Sequence, residues 1–104
     1  MAKMSKMMKQ AQRLQSQMAK AQEEIKQLEK TFSVGGGAVE AVARGDGSLA
    51  AVRIKPDVIR EGEAEELEDL ILTAVNGALE EVRSEAEEKM SGLTAGLNLP
   101  PGLF

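Results

Sequence analysis

The chain has 104 residues, 42% of them apolar but with only two Phe and no Tyr or Trp, enough for one domain with a thin core, because a monomer of this size buries only about 60 to 65% of its unfolded surface. It has neither Cys nor His, which excludes disulfides, thiolate or imidazole metal sites and nearly every nucleophile-plus-base pair, so no enzyme and no cofactor are expected. The formal net charge of -4 conceals a division, +4 over residues 1–30 and -8 over residues 31–104, so the molecule can offer one face to a polyanion and turn the other away from it.

The basic N-terminus lacks the continuous apolar stretch of a signal peptide, and nothing approaches the roughly 18 apolar residues of a membrane span. A soluble intracellular protein without membrane partners is expected. Residues 1–20 carry Lys3, Lys6, Lys9, Arg13 and Lys20 and no acidic side chain. The same segment has a clear period: Met4, Met7, Ala11, Leu14, Met18, Ala21, Ile25, Leu28 and Phe32 alternate spacings of three and four, a heptad seam. With Gln, Lys, Ala, Met and Glu filling the other positions and no Gly or Pro, the pattern predicts a helix over Lys3 to Lys30, about 42 Å long.

The next stretch is strand-like. Thr31 to Val34, Ala38 to Arg44 and Ser48 to Lys55 favour β structure, separated by Gly35-Gly36-Gly37 and by Gly45-Asp46-Gly47. They predict a meander of three short antiparallel strands. Pro56 closes the last strand, and Asp57 is placed to cap one turn through Arg60. A second long helix is predicted from Glu63 to Met90, with Leu67, Leu70, Ile71, Ala74, Val75, Ala78, Leu79 and Val82 as a broad apolar stripe. Asn76-Gly77 reads locally as a turn, yet the stripe passes through it in phase, so a helical Gly costing about 1 kcal/mol relative to Ala is accepted. Residues 91–104, "SGLTAGLNLPPGLF", read as a Gly- and Pro-containing tail after a single domain over 1–90.

The fold class is therefore α+β: an α-β-β-β-α protomer with a small antiparallel three-stranded sheet and two long helices. Strands of this length span about 17 to 27 Å and cannot cover a helix of about 42 Å. Part of the first helix must project as an arm. A second copy of the chain is the simplest cover for a seam that continues along the overhang, which makes Met4, Met7, Ala11, Leu14, Met18, Ile25 and Leu28 the expected dimerisation seam of a homodimer.

Away from the seam, Lys6, Arg13 and Lys20 share heptad position c, about 10.5 Å apart, and Lys9 lies at position f. Phosphates attract such a stripe without base reading, through counterion release. From charge alone, a nucleic-acid surface and a solvated coiled-coil face fit equally well. The other features have plainer readings. The three glycines lack the flanking pattern of a phosphate loop and read as a turn, and "GDGS" lacks the alternating ligands of a calcium loop and reads as a hairpin. The acidic start of the second helix suits its dipole and would repel DNA. The Pro-Pro pair reads as part of a terminus before a polyproline ligand, and the seam methionines as adaptable packing. No metal site and no small-molecule substrate are expected.

The basic Met- and Gln-rich first helix, "GGG" at Gly35 to Gly37, "LEDLI" at Leu67 to Ile71, "AVNGAL" at Ala74 to Leu79, "EKM" at Glu88 to Met90 and "LPPG" at Leu99 to Gly102 together resemble the YbaB/EbfC family of bacterial nucleoid-associated proteins. The resemblance implies a homodimer with protruding helical arms, located in the cytoplasm with the nucleoid, that binds duplex DNA and alters its conformation, with roles extending to gene regulation and DNA protection. It shifts the reading of Lys3, Lys6, Lys9, Arg13 and Lys20 toward DNA-phosphate contacts. The alternative is a coiled-coil protein-interaction module without direct DNA binding.

Overall fold

A computed structural model describes the backbone of residues 2–61 and 63–95 and the side chains of residues 4–60 and 63–93. The elements run α1 (Ala2–Lys26), β1 (Glu29–Val34), β2 (Val39–Arg44), β3 (Leu49–Ile54), α2 (Pro56–Glu61) and α3 (Ala64–Ala95). The strands form one antiparallel sheet in the order β1-β2-β3. The expected layout of long helix, meander and long helix is present. A short α2 replaces the single turn.

The boundaries moved where tertiary pairing overrides local preference. The first helix stops at Lys26, short of Lys30. The N–H groups of Gln27 and Leu28 bond back three residues, to the carbonyls of Glu24 and Ile25 at 3.1 and 3.0 Å, tightening the last turn. Glu29 and Lys30 are poor strand formers, yet they open β1 opposite Arg44 and Ala43, because ladder bonds and cross-strand contacts decide strand identity. Phe32, which continues the spacing of the seam but falls in the expected strand Thr31 to Val34, lies in β1, and Leu28 sits at the junction.

β1 and β2 are joined by the triple-glycine turn, in which Gly35, Gly36 and Gly37 all have positive φ, at 62°, 66° and 90°. Three such residues in succession are accessible at low cost only to glycine. The β2–β3 turn is held by Asp46, whose Oδ1 accepts from the Ser48 N–H at 2.9 Å and from its hydroxyl at 2.5 Å. These bonds, the hydroxyl's first, hold the Asp46 carboxyl below its ordinary pKa of 3.8, with the Arg44 charge adding a smaller push in the same direction. The folded pKa lies below the unfolded one, so the turn's contribution is present above the ordinary carboxylate range and is lost as pH falls through the folded value. The Asp46 carboxyl should titrate below 3.8 by NMR, and Ser48→Ala should raise its midpoint; an unchanged midpoint would contradict the bonding.

α2 begins with Pro56 as its first helical residue, which suits a ring with fixed φ and no N–H. The Val58 N–H bonds to the Lys55 carbonyl at 3.1 Å, so Lys55 occupies the capping position expected for Asp57. Asp57 instead pairs with Arg60 at 3.4 Å. α3 lays its stripe on one sheet face, where Ala74, Ala78 and Val82 meet Val39, Ala41 and Ala43 in the buried core. Four of these six are alanines, so helix and sheet approach closely. The largest fully buried side chain is Val39, confirming a thin core.

Gly77 is explained by β1. A Cβ there would lie well inside 3.0 Å of the Phe32 ring, so the missing side chain is the seat of that aromatic. Gly77→Ala should gain about 1 kcal/mol of helix propensity but displace the ring at about 2–3 kcal/mol, the upper part of the overpacking range, for a net loss of roughly 1–2 kcal/mol. Helical Gly92 has open space at the same atom, so Gly92→Ala should stabilise by a few tenths to about 1 kcal/mol. Denaturant melts of the two variants must shift in opposite directions for this assignment to stand.

α3 runs past Met90 to Ala95, so the first residues of the expected tail are helical. The reason is contact with α1, where Lys89 pairs with Glu24 at 3.6 Å and Leu93 borders Ala21. The remainder of that tail, residues 96–104, lies outside the described residues. The two helices draw the molecule out to 73 × 21 × 16 Å with a radius of gyration of 20.0 Å, against about 13 Å for a compact domain of this length.

Candidate nucleic-acid interface

α1 is an uninterrupted run of good helix formers. Lys6, Lys9, Arg13 and Lys20 are all exposed on it, and no acidic residue precedes Glu23. The Lys3 side chain lies outside the described residues. Lys6, Arg13 and Lys20 follow one row seven residues apart, about 10.5 Å per step along the axis.

What separates these four from the basic residues of the body is pairing. Lys26 meets Glu23 at 3.6 Å, Lys30 meets Glu85 at 3.2 Å, Arg44 meets Glu29 at 3.3 Å, Arg53 meets Glu40 at 4.0 Å, and Arg60, Arg83 and Lys89 meet Asp57, Glu80 and Glu24. Two of these pairs, Arg44 with Glu29 and Arg53 with Glu40, join cross-strand partners on the sheet. Among the described residues, Lys6, Lys9, Arg13 and Lys20 have no carboxylate within salt-bridge distance. Surface ion pairs contribute little to stability, but each carboxylate offsets the charge its cation presents to a phosphate. The arm keeps its full positive potential.

The seam residues divide. Leu14, Met18, Ala21, Ile25 and Leu28 are half-buried within the chain, whereas Met4, Met7 and Ala11 are exposed. Lys89 was not singled out by the sequence. It lies on α3 beside a cleft of about 330 Å³ that also takes in Gln17, Lys20, Ala21 and Glu24, and so places a further cation next to the stripe. No local signal marks it, because its position depends on the register of α3 against α1.

Elsewhere the chemistry is sparse. Glu65, Glu66, Glu68 and Asp69 are exposed at the start of α3, and among the described residues no group of three carboxylates is arranged to hold a metal. A cleft of about 580 Å³ between the β2–β3 turn and α3 is bordered by Asp46, Asn76, Leu79, Glu80 and Arg83. Its charged groups are already engaged, Arg83 with Glu80 and Asp46 with Ser48. No helix among the described residues is long and apolar enough to cross a membrane.

A sequence model of the YbaB/EbfC DNA-binding family matches residues 1–97. The chain belongs to the YbaB/EbfC DNA-binding family. Among its relatives in that family, a nucleoid-associated protein of Brucella ovis is 45% identical over 102 residues, covering 98% of this chain and 95% of the relative. A nucleoid-associated protein of Clostridium acetobutylicum is 44% identical over 97 residues, covering 93% and 87%. The fold is also that of an uncharacterized protein from Helicobacter pylori seen by crystallography, with a TM-score of 0.71 at 18% identity over 86% of this chain and 95% of that one.

Proposed function

We propose that this protein is a cytoplasmic, nucleoid-associated homodimer that binds duplex DNA chiefly through phosphate contacts from its α1 arms and alters the DNA's conformation, with consequences for nucleoid organisation, gene regulation and DNA protection. The observation that carries this reading is the stripe of Lys6, Lys9, Arg13 and Lys20, unpaired among the described residues, on a projecting helix in a chain whose other described basic residues, apart from Lys55, are matched by carboxylates. Names of the relatives support the nucleoid setting. Contacts of this kind neutralise phosphates and release counterions irrespective of sequence, and the acidic α3 turns the opposite side of the molecule away from the duplex.

Dimerisation follows from apolar surface that one copy leaves open. Leu49 and Val52 on edge strand β3 are 41% and 40% exposed, and Leu72 on α3 is 59% exposed, beyond a core too small to spare them. A second copy buries this surface and presents two arms to one duplex. Duplexes of equal length and unrelated sequence should bind within about threefold of one another, with affinity falling steeply as salt rises. Sedimentation should give a dimer at micromolar concentration. A folded monomer throughout that range would refute the assembly, and absence of DNA binding by a confirmed dimer would leave the coiled-coil interaction module as the better account.

A further inference from the structure

α3 covers only part of the sheet. The Phe32 ring of β1 sits at Gly77, and Ala74, Ala78 and Val82 pack with Val39, Ala41 and Ala43 of β2, so the helix lies over the first two strands. Val75 and Leu79 are two residues from Gly77 and Leu72 is five, which at about 100° per residue turns all three to the opposite flank of α3, on the β3 side. Val52 and Leu49 pair with Ala41 and Ala43, and cross-strand partners share a face. Both therefore point toward the helix layer, yet they stay 40% and 41% exposed, with Leu72 at 59%. Together these residues form an open apolar groove, with Leu49 and Val52 as its floor and Leu72, Val75 and Leu79 as its wall. It continues into the cleft beside the β2–β3 turn, which Leu79 also borders. The charged neighbours there are engaged, Arg83 with Glu80 and Asp46 with Ser48, so the groove suits a neutral, apolar occupant.

We propose that the same groove of a second copy fills it, about a two-fold axis running along the length of the molecule, so that the β3 edge of each copy lies against the Leu72, Val75 and Leu79 flank of the other's α3. This interface rests on the homodimer and the DNA-contacting arms proposed above. α3 follows β1 from Gly35, beside Leu70, through Phe32 at Gly77 to Lys30 at Glu85, so the strands lie along the length of the chain. A two-fold in that direction keeps both α1 arms at one end, where one duplex meets both. It also turns one copy's sheet over, which sets each helix layer level with the other copy's sheet. Apolar flank then meets apolar edge. The edge residues Leu49, Ala50, Ala51 and Val52 are neutral and mostly small, able to approach a helix closely, as Ala41 and Ala43 do beneath α3. The competing arrangement, β3 continued as an antiparallel ladder by the other β3, requires a two-fold across the molecule and sends the arms to opposite ends. The strand is blunted against such pairing: its register slips between Val42 and Ala43, Arg53 is exposed on it, and Pro56 follows just beyond its end.

The test uses the full chain with a photo-activated benzophenone amino acid at position 52, in a mixture of isotope-labelled and unlabelled protein allowed to exchange subunits. Cross-linked peptides carrying both labels should join position 52 to residues 72–79. Mixed-label products to residues 49–54 would show strand-on-strand pairing and overturn the proposal, as would a dimer that yields no mixed-label product. As an independent measurement, Ser5→Cys places a single thiol on the exposed arm of a chain without cysteine. Spin labels on the two arms should lie closer together than the 73 Å length of one chain by pulsed electron paramagnetic resonance. A larger separation would put the arms at opposite ends and overturn the axis. Sedimentation distinguishes the two levels of failure: a folded monomer would overturn the homodimer and this interface together, whereas a dimer with the wrong cross-links or arm separation would overturn the interface alone.

Discussion

The triple substitution Lys6→Gln, Arg13→Gln and Lys20→Gln should weaken DNA binding and make its salt dependence much shallower. Three phosphate contacts from each of two arms correspond to a slope of about -5 in log affinity against log salt, at 0.9 per contact on B-DNA. The wild-type dimer should therefore lose about a thousandfold in affinity between 50 and 200 mM salt. The variant should begin low and fall less steeply, with a residual slope from Lys3 and Lys9. The loss should be the same for every duplex sequence, because contacts to phosphates carry no base information. Helicity should be retained, since Gln is a good helix former and the three positions are exposed. Circular dichroism and sedimentation establish that the variant is intact, and a salt titration by fluorescence anisotropy then decides. An intact dimer with wild-type affinity and slope would reduce the stripe to a solvated face.

For stability, the largest single effect is expected at Gly45. A Cβ on this residue would fall well inside 3.0 Å of the Ile25 backbone carbonyl, and the Gly45 N–H bonds to the Leu28 carbonyl at 3.0 Å. The end of α1 is thus pressed against the β2–β3 turn, backbone on backbone. A flexible side chain can rotate away from an added methyl group, but a helix terminus fixed by its own hydrogen bonds must shift as a unit. Gly45→Ala should therefore cost about 3 kcal/mol, at the upper end of overpacking penalties, and lower Tm by roughly 12 to 24 °C for a domain of this size. Since α1 carries the arm, the variant should also loosen the contact of α1 with α3. Thermal melts by circular dichroism provide the measurement, and a Tm within about 2 °C of wild type would show that the turn yields without cost.

Much of the architecture was legible along the chain because it rests on local periodicity. The seam of α1 and the stripe of α3 announce two amphipathic helices through recurring three- and four-residue spacings. The three strands emerge from β-favouring runs broken by Gly35-Gly36-Gly37 and Gly45-Asp46-Gly47, where the backbone demands turns. The basic stripe could also be read directly, since a seven-residue spacing returns to the same side of a helix. Membership of the YbaB/EbfC family was visible in the order of short segments from the first helix to Leu99 to Gly102.

Interactions between distant residues were decided by the tertiary structure alone. Phe32 both continues the helical period of α1 and falls in the strand-like run Thr31 to Val34; pairing with Ala41 and a seat over Gly77 decide for the strand. α3 outlasts its expected end because Lys89 and Leu93 find α1 beside them, and packing supplies most helical stability in proteins. The same register brings Lys89 to the stripe and to Glu24, while strand pairing brings Arg44 to Glu29 and Arg53 to Glu40. Composition and period determined which helices and strands form and where charge gathers along the chain. Lys26, Arg60 and Arg83 find carboxylates three residues away, but the pairing of Lys30, Arg44, Arg53 and Lys89 depends on separations of a few ångströms between residues far apart in sequence, and those were set only when the chain folded.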